Sequence, residues 1–157
     1  MRGSLGSLVI VCSSGGHLLQ MLELREAWEP FSRVWVTFDK ADTRSLLCEE
    51  RVIHAYGPTN RNVPNLLRNL RLAEEVIRHE RPSAILTTGA GVAVPFAWIA
   101  RLRGARVLYV ESFTRIAGLS LSGRMIAPIA DGTYVQWPEL AAATPKTRYA
   151  GNLFVDA

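Results

Sequence analysis

The sequence predicts an α/β fold, a doubly wound parallel sheet with helices on both faces. Short apolar, β-branched runs bounded by Gly, Pro and Asp alternate with segments of helical periodicity. Those runs are almost continuously hydrophobic, as strands buried on both faces are. A composition of 48% apolar and 20% charged residues over 157 positions suits a globular chain able to bury a core.

The first strand is SLVIVC (Ser7–Cys12), and SSGGH leads from it into a helix expected from about His17 to Trp28. RVWVTF comes next, then a short helix through TRSLL and a third strand, RVIHAY. In the next helix, from about Val63 to His79, the residues Val63, Leu66, Leu67, Leu70, Ala73 and Ile77 recur at helical spacing. AILTT is the fourth strand, and the helix after it, from about Val92 to Arg103, carries Pro95 in its first turn, where a missing N–H costs little. RVLYVE, a helical stretch through LSGRMIA and the strand GTYVQW complete the pattern. Neither an internal repeat nor a linker interrupts it, so a single domain over residues 1–157 is expected.

The 18 basic residues, nearly all arginine, outnumber 14 acidic ones. Planar guanidinium groups favour phosphate-bearing partners. Nucleic acid is disfavoured among these, because the arginines are scattered over helices with no stacking platform or recognition motif. The two cysteines, Cys12 and Cys48, have no metal-ligand spacing and form no evident disulfide framework, which points to a reducing cytoplasm. No apolar run is long enough to span a bilayer, so membrane association is expected to be peripheral.

In sheets of this kind the ligand crevice lies beyond the carboxyl ends of the strands. Three loops stand out there: SSGGH, TTGAG and ESFTR. Gly15 and Gly16, with Ser14, would let a phosphate approach main-chain amides at a helix start; a tight turn capped by serine is the plainer alternative. The pattern is neither GxGxxG nor a P-loop. His17 has the chemistry of a proton acceptor near neutral pH, or merely packs. Gly89 and Gly91 either form a second ligand segment or allow close helix packing. Glu111 ends an apolar strand at the same edge, where it could bind sugar hydroxyls, tune the histidine or pair with Arg115. No metal or cofactor is implied, since no carboxylate or histidine cluster has ligand spacing.

The stretches SSGGHLLQML, TTGAGVAVPFAWIARLRGARVLYVES, FTRIAGLSLSGRMIAPIADGTYVQWPEL and AGNLF together resemble the acceptor-side subunit of two-component glycosyltransferases. One branch is the membrane-anchoring subunit of the eukaryotic enzyme that adds the second GlcNAc to dolichol-diphospho-GlcNAc; another is the PssD-type subunit of bacterial exopolysaccharide and capsule synthesis. A weaker likeness extends to the N-terminal half of MurG, the lipid I GlcNAc transferase. Its glycine loop ending in His is similar to Ser14–His17, its second glycine loop to Gly89–Gly91, and its His-Glu-Gln-Asn segment to Val110–Phe113, of which only Glu111 is kept.

The resemblance implies the N-terminal half of a GT-B fold, with a Rossmann-like sheet. It also implies a donor-binding half on a small partner chain, because Asn152, in the segment similar to MurG's entry into its donor half, comes close to the end. The implied activity is inverting transfer of a sugar from a nucleotide sugar, held by the partner, to a polyprenyl-diphosphate-linked sugar at the inner face of the cytoplasmic membrane. His17 is then expected as general base, and Glu111 as the group that fixes the sugar or the imidazole. Ser14, Gly15, Gly16, Gly89, Gly91, Arg115 and Asn152 are expected at the substrate, the helix start at Gly15 to His17 holding the acceptor diphosphate or orienting its sugar and Arg115 offering charge to the diphosphate. Eukaryotic relatives carry an N-terminal transmembrane helix; here the Val63–His79 helix, with Arg68, Arg71 and Arg78 flanking its stripe and Leu72 and Val76 off it, is either a lipid-facing substitute or a core helix with a basic outer side. A rival of another class is a non-catalytic scaffold that recruits a glycosyltransferase through Trp137, Pro138 and Phe154.

Overall fold

The computed structural model describes residues 6–155, so the two ends of the expected 1–157 span lie outside it. Seven strands form one parallel sheet in the order β3-β2-β1-β4-β5-β6-β7. They are β1 (Ser7–Val11), β2 (Ser32–Thr37), β3 (Val52–His54), β4 (Ala84–Thr87), β5 (Arg106–Val110), β6 (Gly132–Val135) and β7 (Thr147–Tyr149). After β3 the chain crosses back to lay β4 beside β1, with Val9 opposite Ile85, while β2 flanks β1 on its other side with Ile10 opposite Trp35. The strand order therefore reverses between β1 and β4, which opens a crevice beyond their carboxyl ends.

Helices α1 (Gly16–Glu23), α2 (Arg25–Trp28) and α3 (Ala41–Leu46) belong to the connections out of β1 and β2, and α4 (Val63–Glu80), α5 (Ala93–Leu102) and α6 (Leu121–Ile126) to those out of β3, β4 and β5. Two cores result. One joins Leu18, Met21, Trp28 and Leu47 to Leu8, Ile10 and Trp35 of the sheet. The other packs Ala73, Val76, Ile77, Phe96, Ala97, Ala100 and Ile126 on Val9, Val34, Ile85 and Val107.

The helix expected from His17 to Trp28 is broken at Leu24 into α1 and α2. Its Met21 carbonyl accepts from the Leu24 amide at 3.2 Å and from the Trp28 indole N–H at 2.8 Å, and neither is the bond that would continue an α-helix. Helix α7 (Pro138–Ala143) and edge strand β7 also lie beyond what the pattern predicted. With one half-buried and two exposed residues, β7 carries no alternating signal.

Helix α4 corrects the predicted stripe. Its inner face is Asn65, Asn69, Ala73, Val76 and Ile77, while Val63, Leu66, Leu67 and Leu70 are 40–64% exposed. Leu72 and Val76, expected off the stripe, pack on the core. The buried amides explain the difference. Asn69 accepts from the Tyr56 amide at 2.9 Å and donates to the Tyr56 carbonyl at 2.8 Å, and Asn65 donates to the Pro58 carbonyl at 2.9 Å. Polar groups that fasten the β3–α4 loop thus take the inward positions of the first turns, and the leucines turn outward. Among the described residues no helix is long and apolar enough to cross a membrane.

Candidate functional site

A groove of about 1310 Å³ runs along the carboxyl edge of the sheet. Five connections supply its lining: Ser13 and His17 after β1, Phe38 to Lys40 after β2, Gly57 to Arg61 after β3, Ala90 and Gly91 after β4, and Ser112, Thr114, Arg115, Ser120 to Ser122 and Met125 after β5. The crevice thus lies where the strand order places it.

His17 and Thr88 clasp each other across the reversal point between β1 and β4. The imidazole Nδ1 is 2.8 Å from the Thr88 carbonyl oxygen, and the Thr88 hydroxyl donates to the His17 carbonyl at 3.0 Å. A carbonyl can only accept, so Nδ1 carries the proton and Nε2 keeps its lone pair. Burial lowers the imidazole pKa below its ordinary 6.5, and it outweighs the Thr88 carbonyl and the Glu111 charge, which both act to raise it. At neutral pH the ring is therefore an uncharged base at a groove wall.

Glu111 does not line the groove. Fully buried, its carboxylate accepts from the Ser112 amide at 2.8 Å on one oxygen, and from the Ser120 amide at 2.8 Å and hydroxyl at 3.1 Å on the other. One side chain thereby ties the two ends of the β5–α6 loop together. Gly123 allows this approach, since a Cβ there would come within 2.4 Å of the carboxylate. The Tyr109 hydroxyl, 3.1 Å from Ser120 Oγ, is pushed far above its usual pKa by burial and then by Glu111, and stays protonated. Among the described residues Glu111 and Arg115 form no ion pair; Arg115 is exposed and lines the groove.

The other expected residues divide. Gly91 lines the groove, and a Cβ on it would stand 3.0 Å from Thr59 Oγ1, so it lets the β3–α4 loop lean in. Gly89, at φ +95, packs against Tyr109 and Ser122 beneath the surface. Gly15, at φ +72, gives its amide to Asp42 Oδ2 at 2.7 Å; Ser14, Gly15 and Gly16 are not among the lining residues. Asn152 is buried, donating to the Gln136 carbonyl at 3.1 Å and accepting from the Phe154 amide at 3.0 Å. Sequence reasoning missed Lys40 and Arg61, although the loops after β2 and β3 open on the same sheet edge as the three loops it chose. Among the described residues no cluster of three His, Cys, Asp or Glu could hold a metal ion.

Residues 58–153 match the family model described as "Oligosaccharide biosynthesis protein Alg14 like". The UDP-N-acetylglucosamine transferase subunit ALG14 of Debaryomyces hansenii is 30% identical over 98% of this chain and 78% of its own length. Its namesake in Homo sapiens is 27% identical over 94% and 82%. Among solved structures, MurG of Acinetobacter baumannii superposes with a TM-score of 0.72 at 17% identity, covering 93% of this chain and 45% of that one. S. aureus MnaA with UDP gives 0.74 at 13%, covering 97% and 46%. The fold is Rossmann-like and equivalent to the N-terminal half of a GT-B glycosyltransferase, and the chain spans just under half the length of these structures.

An NMR titration of the His17 ring in the isolated chain should give a midpoint below 6.5 with Nδ1 protonated in the neutral form. The unfolded ring takes up its proton first as pH falls, so this site's contribution to stability is present above 6.5 and lost below it. A midpoint above 6.5 would contradict the burial of the ring.

Proposed function

This chain belongs to the Alg14-like family of oligosaccharide biosynthesis proteins, and on that basis we propose that it is the acceptor-side subunit of an inverting glycosyltransferase. Its acceptor is a polyprenyl-diphosphate-linked sugar in the assembly of an oligosaccharide or polysaccharide. A small partner subunit brings the nucleotide sugar, in keeping with the word "subunit" in its relatives' names and with its half-length match to MurG. The observation that carries the reading is the groove-facing His17 with its tautomer held by Thr88.

In the reaction, the acceptor hydroxyl gives its proton to Nε2 of His17 as its oxygen attacks the anomeric carbon of the donor. The bond from that carbon to the nucleoside diphosphate breaks on the opposite face, and the configuration inverts. The Thr88 carbonyl supports the imidazolium that forms, since Nδ1–H already points at it. Glu111 acts through the loop it closes rather than on the sugar, and that loop brings Ser112, Thr114 and Arg115 to the groove.

The outward face of α4 supports peripheral attachment to the inner surface of the cytoplasmic membrane. Val63, Leu66, Leu67 and Leu70 are exposed next to the exposed Arg68 and Arg71. Each arginine near an anionic leaflet contributes about 1 kcal/mol.

His17→Ala, reconstituted with its partner subunit, should lose about 10²–10⁴-fold in kcat. Near-native turnover at saturating acceptor, together with slow transfer by the partner alone, would make this chain a scaffold instead. Leu66→Gln with Leu67→Gln should release the chain from vesicles containing anionic phospholipid without lowering its stability by more than about 0.5 kcal/mol. Unchanged vesicle binding would remove α4 from the membrane.

A further inference from the structure

The geometry points to a diphosphate site on side chains rather than on the amides that open α1: we propose that the acceptor diphosphate lies between Arg61 and Arg115, with Lys40 adding charge, and that the isoprenoid leaves over Leu121 and Met125. This assignment rests on the acceptor reading above and names the part of the groove that its charged group occupies.

The helix start that a glycine loop would offer to phosphate already has a carboxylate on its Gly15 amide. Asp42 Oδ2 takes the Gly15 amide at 2.7 Å, and a phosphate placed there would meet a carboxylate. Anions are attracted elsewhere along the groove. Lys40, Arg61 and Arg115 come from three separate connections and all line it. Among the described residues none of the three forms an ion pair, whereas Asp39, the carboxylate in the lining, is held by Arg44 at 2.9 Å. Unpaired guanidinium groups in a groove are suited to bidentate contacts with phosphate oxygens.

Both arginines sit on loops fastened from below. Asn65 and Asn69 hold the β3–α4 loop that carries Arg61, and Glu111 closes the loop that carries Arg115. The lean of Thr59 towards Gly91 brings the Arg61 loop over to the β4 side, next to the connection that bears Arg115. His17 lines the same groove after β1, the strand beside β4, and the assignment sets the first sugar beyond the diphosphate against it.

An apolar path begins at the same place. Leu121 and Met125 line the groove and are 76% and 46% exposed, on one face of α6. The Trp98 indole donates to the Met125 carbonyl at 3.1 Å, and Leu102, four residues further along α5, is 75% exposed. Three cations beside a strip of exposed Leu, Met and Trp complement an anionic head with a hydrocarbon tail.

Calorimetric titration of the full chain with inorganic pyrophosphate and with farnesyl diphosphate separates head from tail. Farnesyl diphosphate should bind more tightly than pyrophosphate. Arg61→Gln and Arg115→Gln should each weaken both ligands about tenfold with unchanged thermal midpoints. Leu121→Ser should remove the farnesyl advantage and leave pyrophosphate unaffected, and Asp42→Asn should leave pyrophosphate affinity within about twofold. The assignment is overturned if both arginine variants bind like the wild type, if Asp42→Asn strengthens pyrophosphate binding about tenfold, which would put the anion on α1, or if neither probe binds. Because the readout is binding to this chain alone, it stands or falls independently of whether His17 is the base.

Discussion

The arrangement of the site depends on one reciprocal pair of hydrogen bonds, His17 to the Thr88 carbonyl and Thr88 to the His17 carbonyl. Parallel strands joined by a crossover end at the same edge, but the ladder between β1 and β4 does not align the loops beyond their ends. The clasp does so. It links the start of α1 to the approach to α5 and selects the tautomer, so that the ring's basic nitrogen is the one not engaged with the backbone. Burial then keeps that nitrogen unprotonated at neutral pH.

Around this pair, buried polar side chains fasten loops rather than lining the groove. Glu111 draws Ser112 and Ser120 together, and Asn65 and Asn69 bind the backbone of residues 56–58. A buried polar group is costly unless satisfied, so each such residue has few alternative arrangements open to it. The consequence of using α4's inner face in this way is an outer face of leucines beside arginines. Loop geometry at the groove and the amphipathic surface beside it thus share one origin.

Much of the fold was legible in the sequence because continuous apolar runs and the residues between them report burial directly. Six strands and the crossover helices come from that signal; β7 does not, because a three-residue edge strand with exposed Arg148 and Tyr149 buries too little to leave a pattern. The location of the groove was legible through topology, and so was the place of His17 at its wall, at the end of the first glycine loop. The roles of Glu111 and Asn152 were not. A carboxylate at a strand end looks the same in sequence whether it faces a ligand or turns beneath a loop, and only the backbone amides of Ser112 and Ser120 decide between them. Helix α4 misled for a related reason: its apolar residues obey the helical period, and the face that turns inward was chosen by two asparagines.

The central claim is that an uncharged His17 accepts the acceptor's proton. It is tested most directly by the pH dependence of kcat for the reconstituted two-chain enzyme at saturating donor and acceptor. The rate should fall on acidification with a midpoint below 6.5, and a His17→Gln enzyme should lack this limb along with most of its turnover. A rate independent of pH between about 5 and 8, or an acid limb that survives in His17→Gln, would contradict it.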